Sequence, residues 1–203
     1  MPEKIIGAVY AGGRARRLGG IDKAALEVQG NPLHQMVIPK ISDVVDDVIL
    51  LSSTAPDWLN RHPDVNLVDD YLPTGEPVGP AGGLLAALDY ALTSYGPNTK
   101  LVTTPIDAPF FPSECLTALV ALLESGATAS VLSIAGRLQP AFSAWQASEL
   151  DNVVRFVKEG DLALHVLAKR AGALTLDYDA PEELFLNINT QDDLAQAEAL
   201  FGN

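Results

Sequence analysis

Short apolar runs alternate with stretches of helical spacing along almost the whole chain, and this alternation constrains the fold more than any other feature. The apolar runs are β-branched or aliphatic and are bounded by Gly, Pro, Asn or Asp, so they are predicted as strands: Ile5–Tyr10, Val44–Leu51, Val65–Val68, Leu101–Thr104, Thr128–Ile134 and Leu184–Ile188. The stretches with helical spacing are Pro32–Ile41, Gly83–Tyr90, Ser113–Leu123, Asn152–Arg170 and Gln191–Phe201. Nearly continuous apolar strands that alternate with helices predict an α/β fold with a mostly parallel sheet covered on both faces.

Two prolines interrupt this pattern. Pro39 lies inside the first helical stretch, and we expect it to kink or split that helix. Pro140 lies within the run Arg137–Trp145, which does not alternate cleanly, and it argues against a central strand there. We therefore expect this run to form an edge strand or a hairpin at the start of a smaller region that ends near Asp179.

Composition and length favour one globular domain over residues 1–203. A chain of 203 residues with 48% hydrophobic and 19% charged residues can bury a sizeable core. We find no internal repeat, low-complexity tract or long linker. Cys115 is the only cysteine, which excludes an internal disulfide and any multi-cysteine metal site.

The overall charge is strongly acidic, at −13 from 26 acidic and 13 basic residues. Such a surface repels nucleic acid and anionic membranes, so we expect neither as a partner. The sequence shows no leader-like segment, and no apolar run approaches the roughly 18 residues that span a bilayer. The expected location is therefore the cytoplasm.

One basic, glycine-rich loop stands out against this acidic background. It follows the run Ile5–Tyr10 and begins with Gly12-Gly13. Within ten positions it carries four of the thirteen basic residues, Arg14, Arg16, Arg17 and Lys23, which only Asp22 opposes. Glycines let backbone N–H groups approach phosphate oxygens, and basic side chains neutralise their charge. The spacing fits neither a Walker loop nor a Rossmann fingerprint, and it predicts a site for a small, highly charged anion.

Two acidic segments follow predicted strands and are candidates for metal or ligand binding. Asp107 comes after an apolar strand and lies between Pro105 and Pro109 on a stiff turn, where α/β folds place ligands. One carboxylate together with phosphate oxygens and water is a usual way to hold Mg²⁺. The alternative is a turn aspartate that caps the next helix. Asp69 and Asp70 are adjacent, and both could be solvated loop residues.

The stretch "AGGRARRLGGIDKAAL" closely resembles the signature loop of the MobA-like nucleotidyltransferases. The matching positions are Ala11, Gly12, Gly13, Arg17, Gly19, Gly20, Asp22 and Lys23, with Leu18 in place of the usual methionine. Three further segments match in the family's order: "LVDDYLPTGEPVGPAGGLLAAL", "VTTPIDAPFF" and "FLNINTQDDL". The resemblance spans nearly the whole chain. It implies a Rossmann-like three-layer sandwich of the nucleotide-diphospho-sugar transferase type, with a nucleotide-binding half over residues 1–110 and an acceptor-facing half over about 111–203.

The resemblance also implies roles for individual residues. Arg17, Lys23 and Asp107 would be catalytic, and Asp107 with Asp70 would hold Mg²⁺. The donor nucleotide would be bound by Ala11, Gly12, Gly13, Lys23, Asp70, Gly79 and Gly82, with Asp69 pointing away from it. Glycines at those positions allow close backbone approach to a flat base or ribose. The acceptor would be bound by Gln139, Asn187 and Asn189, although relatives often carry His-Pro where this chain has Gln139-Pro140.

Within the family, the chain is most similar to the branch that transfers GMP from GTP to the terminal phosphate of molybdopterin and releases pyrophosphate. The resemblance therefore implies GTP and molybdopterin as partners, and proteins of molybdoenzyme maturation as recipients of the product. Three alternatives stay open: cytidylyl transfer to molybdopterin, transfer to a sugar or cobinamide phosphate, and a non-catalytic nucleotide-binding relative. The remaining aromatic candidates, His34, His62, His165, Trp58 and Trp145, share no spacing and are predicted to pack or to lie at the surface.

Overall fold

The structure is a computed structural model that describes residues 3–11, 14–15 and 21–202. Its strands are β1 (Ile5–Tyr10), β2 (Arg14–Ala15), β3 (Ile21–Asp22), β4 (Glu27–Val28), β5 (Asn31–Pro32), β6 (Asp47–Leu51), β7 (Val65–Val68), β8 (Lys100–Pro105), β9 (Ala129–Ile134), β10 (Arg137–Gln146) and β11 (Leu174–Asp177). Its helices are α1 (Leu33–Ser42), α2 (Pro80–Tyr95), α3 (Glu114–Glu124), α4 (Leu150–Lys158), α5 (Leu164–Arg170) and α6 (Gln191–Phe201). None of the helices in this described part of the chain combines the length and apolarity needed to cross a membrane.

Seven strands form one mixed sheet in the order β11-β9-β10-β8-β1-β6-β7. The pairs β8-β1, β1-β6, β6-β7 and β11-β9 are parallel, and only β10 runs antiparallel to both of its neighbours. The pairs β2-β3 and β4-β5 form two small separate ribbons. The predicted α/β fold with a mostly parallel sheet is confirmed.

Helices cover both faces of the sheet, and successive residues of a strand point alternately to one face and to the other. One buried cluster joins α2, α4 and α5 to Ile6, Ala8 and Ile49. The other joins α1 and α3 to Val9 and Leu50. Because side chains alternate along a strand, the apolar run of β1 supplies both layers, which explains why it reads as continuously hydrophobic.

The prediction of an edge strand around Pro140 is wrong, whereas its hairpin alternative is confirmed. β10 lies inside the sheet between β9 and β8, and it follows β9 through a tight turn with positive φ at Ala135 and Gly136. The pairing register shifts between Gln139 and Ser143, and the pairing with β8 begins only at Ser143. Pro140 therefore falls in an irregular segment where its missing N–H is not needed by the ladder.

The predicted strand Leu184–Ile188 is also wrong. This segment forms a 3-10 turn over Glu182–Phe185 and then continues without a sheet partner. Its apolar character comes from Phe185 and Ile188, which are buried in two different clusters. The sequence did not indicate β11. Its residues are mostly exposed, and it forms the edge of the sheet opposite to β7.

Helix boundaries show three smaller outcomes. α1 continues through the exposed Pro39 without splitting. The long stretch Asn152–Arg170 divides into α4 and α5, because Gly160 adopts a positive φ of 103° just after α4. α6 begins with a capping box: the Thr190 hydroxyl accepts from the Asp193 amide, and the Asp193 carboxylate accepts from the Thr190 amide.

Candidate functional site

The candidate site lies at the carboxyl edge of the four adjacent parallel strands β8, β1, β6 and β7. Ala11 follows β1 directly, and its amide donates to the Leu51 carbonyl at 3.2 Å. Asp107 follows β8, and Asp70 follows β7. Loops at this edge of a parallel sheet are where α/β folds bind ligands.

Lys23 forms the centre of the site. Its Nζ donates to Asp107 Oδ2 at 2.8 Å and also to Asn189 Oδ1. The two partners stand 84 and 166 positions further along the chain. The side chains of Lys23 and Asp107 are only 19% and 16% exposed, so the ion pair is partly shielded from water. Sequence reasoning assigned Lys23 and Asp107 to one site, and the structure brings them together.

Asp107 keeps one carboxylate oxygen available. Its Oδ1 is buried, and among the described residues it has no hydrogen-bond partner. A buried acceptor without a partner costs free energy, and it therefore marks a position suited to a ligand. A hard cation such as Mg²⁺ prefers such oxygens.

The described ranges contain no group of three or more His, Cys, Asp or Glu side chains arranged to hold a metal. Mg²⁺ does not require such a group, since it is often held by one or two carboxylates together with substrate phosphates and water. Asp107 alone therefore fits this mode of binding.

A cleft of about 430 Å³ opens at the same edge of the sheet. Its lining comes from the ends of β1 and β6, from the start of α2 and from β10 and α5: Tyr10, Leu51, Ser52, Ser53, Asp70, Gly79, Pro80, Gly83, Ala141 and Leu164. Gly83 permits close packing here, because a Cβ at that position would lie 3.0 Å from Tyr10 Cε1. The cleft is mostly apolar with a few polar groups, which suits a small organic ligand.

Among the described residues that line the cleft, Asp70 is the charged one. It is half-buried, whereas its neighbour Asp69 is exposed. Burial and the adjacent Asp69 charge raise the pKa of the Asp70 carboxyl above its ordinary value. Burial, with a smaller effect of Asp70, also raises the pKa of Tyr10, whose hydroxyl has no partner among the described residues.

Asp70 and Asp107 occupy different parts of the site. The strands that precede them, β7 and β8, are three places apart in the sheet. Neighbouring strands are separated by about 4.8 Å, so this places the two strands about 14 Å apart. The structure thus places Asp70 in the cleft and Asp107 at the Lys23 centre, and it does not bring them together as a pair of ligands.

The other predicted site residues fall in several places. Gly79 lines the cleft, whereas Gly82 packs against the Asp70 loop, where a Cβ would lie 3.2 Å from the Tyr71 carbonyl oxygen. Gln139 is half-buried in the irregular part of β10. Asn187 is exposed, and it shares no strand face with Asn189 because their segment forms no strand. Gly12, Gly13 and Arg17 lie outside the described residues.

Sequence reasoning missed an aromatic cluster behind Lys23. Trp58 Nε1 donates to Asp22 Oδ2 at 2.6 Å, and the Trp58 ring stacks on His34. His34 Nδ1 lies 2.8 Å from His62 Nε2. These residues share no sequence spacing, so only the folded chain reveals the cluster.

Comparison with known proteins identifies the family of this chain. Residues 7–173 match the family model described as the MobA-like NTP transferase domain. A protein named molybdenum cofactor guanylyltransferase from Cereibacter sphaeroides is 33% identical over 197 residues, 97% of each chain. A protein of the same name from Yersinia pseudotuberculosis serotype O:1b is 31% identical over 196 residues, 95% of this chain and 94% of that one.

Solved structures share the fold. The molybdopterin-guanine dinucleotide biosynthesis protein A from Archaeoglobus fulgidus superposes with a TM-score of 0.76 at 24% identity, covering 97% of this chain and 98% of the other. A 4-diphosphocytidyl-2C-methyl-D-erythritol synthase superposes with a TM-score of 0.73 at 14% identity, covering 99% of each. The predicted nucleotidyltransferase type of fold is thereby confirmed, and the chain belongs to the family of MobA-like NTP transferase domains.

Proposed function

We propose that this chain is a molybdenum cofactor guanylyltransferase, which transfers GMP from GTP to the terminal phosphate of molybdopterin. The observation that carries the proposal is the Lys23 centre, where one ammonium group meets Asp107 and Asn189 at the same sheet edge as a cleft of about 430 Å³. Relatives above 30% identity over nearly the full chain bear this name, which supports both the donor and the acceptor.

The proposed step is an in-line substitution at phosphorus. An oxygen of the molybdopterin phosphate forms a bond to the α-phosphorus of GTP. The bond between that phosphorus and the bridging oxygen to the β-phosphate breaks, and pyrophosphate leaves with the electron pair. Such a step needs positioning and charge neutralisation and no protein nucleophile.

Lys23 supplies fixed positive charge for this step. Its ammonium is held in place by Asp107 and Asn189, so little reorganisation is needed when negative charge develops on phosphate oxygens. The partial burial of Lys23 strengthens that interaction relative to bulk water. Arg17 and the backbone N–H groups of Gly12 and Gly13, which the structure does not describe, remain proposed contacts to the triphosphate.

Asp107 is the residue we assign to Mg²⁺, because its Oδ1 is a buried acceptor with no partner in the described part of the chain. When bound there, Mg²⁺ would neutralise phosphate charge and act as a Lewis acid. Asp70, which also faces ligand space, is proposed to accept hydrogen bonds from the base or ribose of the donor in the cleft. Gln139, Asn187 and Asn189 remain the candidates for acceptor binding.

The direct test measures pyrophosphate release by the purified protein with Mg²⁺ and molybdopterin, with GTP and CTP in separate reactions. Release with GTP that is lost in Asp107→Ala is the expected result. Release with CTP alone would overturn the choice of base and keep the mechanism. No release with either nucleotide, while GTP still binds, would favour another acceptor or a non-catalytic role.

A further inference from the structure

The carboxylate of Asp22 is held at both of its oxygens. Oδ1 accepts from the Ala24 amide at 3.0 Å and caps the 3-10 turn Lys23–Ala25. Oδ2 accepts from Trp58 Nε1 at 2.6 Å. The first contact fixes Asp22 relative to its own turn, and the second fixes that turn relative to the segment Asp57–Arg61. Lys23 follows Asp22 directly and is the first residue of that turn.

The indole of Trp58 is itself clamped. One face stacks on the His34 ring, with centroids 4.5 Å apart and planes inclined by 8°. His62 meets the same indole edge-on at 6.0 Å and bonds to His34. His34 is 1% exposed and Trp58 is 7% exposed. A ring packed in this way has few alternative orientations, so its N–H points steadily at Asp22.

Asp22 is adjacent to Lys23 and carries the charge that could draw the Lys23 ammonium away from the site. Each oxygen of Asp22 already accepts one N–H hydrogen bond, which weakens its competition for the ammonium, and the ammonium pairs with Asp107.

We propose that Trp58 is a positioning residue for Lys23 and acts through Asp22. The kinetic effect expected from this inference rests on the proposed function, in which the Lys23 ammonium stabilises negative charge on phosphate oxygens. A small displacement of such a group costs turnover more than substrate binding. Nothing in the family pattern that includes Asp22 and Lys23 points to Trp58, which is contributed by a separate segment.

The first test replaces Trp58 by Phe, which keeps an aromatic ring for stacking and removes the N–H. We expect kcat to fall on the order of tenfold, with KM for GTP changed by less than about threefold. Trp145→Phe is the matched control, because Trp145 Nε1 donates to Ser143 Oγ in the core away from Lys23. That control should lose thermal stability to a similar degree and keep its kcat.

A double-mutant cycle shows whether Trp58 acts through Lys23. In a Lys23→Ala background, Trp58→Phe should lower the residual rate no further, because the group that Trp58 positions is already missing. A full tenfold loss in that background, or an equal kcat loss in Trp145→Phe, would overturn the proposal and leave Trp58 as a packing residue.

Amide hydrogen exchange separates failure of this inference from failure of the proposed function. The Ala24 and Leu26 amides are hydrogen-bonded within the turn, to Asp22 Oδ1 and the Lys23 carbonyl. Trp58→Phe should accelerate their exchange, whereas Trp145→Phe should not. If the wild type transfers no nucleotide but this acceleration occurs, guanylyl transfer is rejected and the anchoring stands. Unchanged exchange in Trp58→Phe would reject the anchoring.

Discussion

Two carboxylates at the same edge of the sheet have different surroundings, and this difference separates their proposed roles. Asp107 is paired with Lys23 through one oxygen and offers the other to a ligand. Asp70 has no comparable cation in the described part of the cleft, and burial together with Asp69 raises its pKa. The ionised form of Asp70 is therefore held at a cost to the folded state, which is expected of a binding residue and not of a stabilising one.

Asp70→Asn should weaken GTP binding by about tenfold at neutral pH, because a charged acceptor becomes a neutral one. The same change should not lower the melting temperature, since the raised pKa means that ionised Asp70 destabilises the fold above its ordinary titration range. Calorimetric titration and thermal unfolding measure the two effects. Asp69→Asn is the control, and an equal loss of affinity there would contradict the assignment.

His34 should give the stability of the protein a dependence on mildly acidic pH. Burial, followed by the neighbouring His62 and Arg61, lowers the pKa of His34 to about 4. The unfolded chain takes up this proton near the ordinary histidine pKa of about 6.5, so acidification between the two values favours unfolding.

Chemical denaturation at a series of pH values measures this slope. His34→Phe, which keeps a ring against Trp58, should flatten the fall in unfolding free energy over that interval. His165→Phe, at an exposed position, should leave the slope of the wild type unchanged. A slope that is the same in all three proteins would contradict the role given to His34.

At the scale of elements, the sequence was informative where local pattern decides structure. β1, α6 and its capping box follow from apolar periodicity and cap chemistry. The position of β10 inside the sheet could not be predicted from the sequence. A proline is tolerated inside a sheet when the register shifts around it, and that shift depends on the partner strands. The prediction of a strand over Leu184–Ile188 failed for a related reason: the apolar residues of this segment are buried by tertiary packing without any strand pairing.

α1 supports the loop that carries Asp107. Lys40 Nζ donates to the carbonyl oxygens of Pro109 and Phe111 at 2.8 and 2.9 Å, and it lies 5.1 Å from the centre of the Phe111 ring. Burial lowers the pKa of Lys40. This side chain therefore bridges a helix on one face of the sheet to the turn that follows β8.

Lys40→Met should destabilise the protein by about 1–3 kcal/mol, because it keeps the packing of the side-chain stem and leaves two carbonyl groups without their donor. Denaturant unfolding measures the change. Lys4→Met removes only an exposed ion pair with Asp46 and should cost less than about 1 kcal/mol. Equal losses of unfolding free energy in the two variants would show that the hydrogen bonds from Lys40 to the loop stabilise the protein no more than an exposed ion pair does.

At the scale of the whole molecule, the site is assembled from the beginning, the middle and the end of the chain. Asn189 reaches Lys23, and the Ile188 amide donates to the Asp107 carbonyl at 2.8 Å. The glycine loop and Asp107 could be found from the sequence because each carries a local signature. The aromatic cluster of Trp58, His34 and His62 could not be found in this way, since its members meet only through long-range packing. The division into a nucleotide-binding half over 1–110 and an acceptor-facing half stays a prediction.

The chain has a net charge of −13, so we expect local cations at this assembled centre to supply the affinity for the proposed anionic substrate. We propose that the centre catalyses nucleotidyl transfer, and neither hydrolysis nor phosphoryl transfer. The most direct measurement follows radioactive phosphorus in wild-type protein and in Asp107→Asn, using GTP labelled in either the α- or the γ-phosphate with molybdopterin and Mg²⁺. We expect the α-label in the dinucleotide product and the γ-label in pyrophosphate, with Asp107→Asn slower by about a hundredfold or more. The γ-label in the pterin product, free inorganic phosphate as the first product, or an Asp107→Asn variant with the wild-type rate would contradict the account.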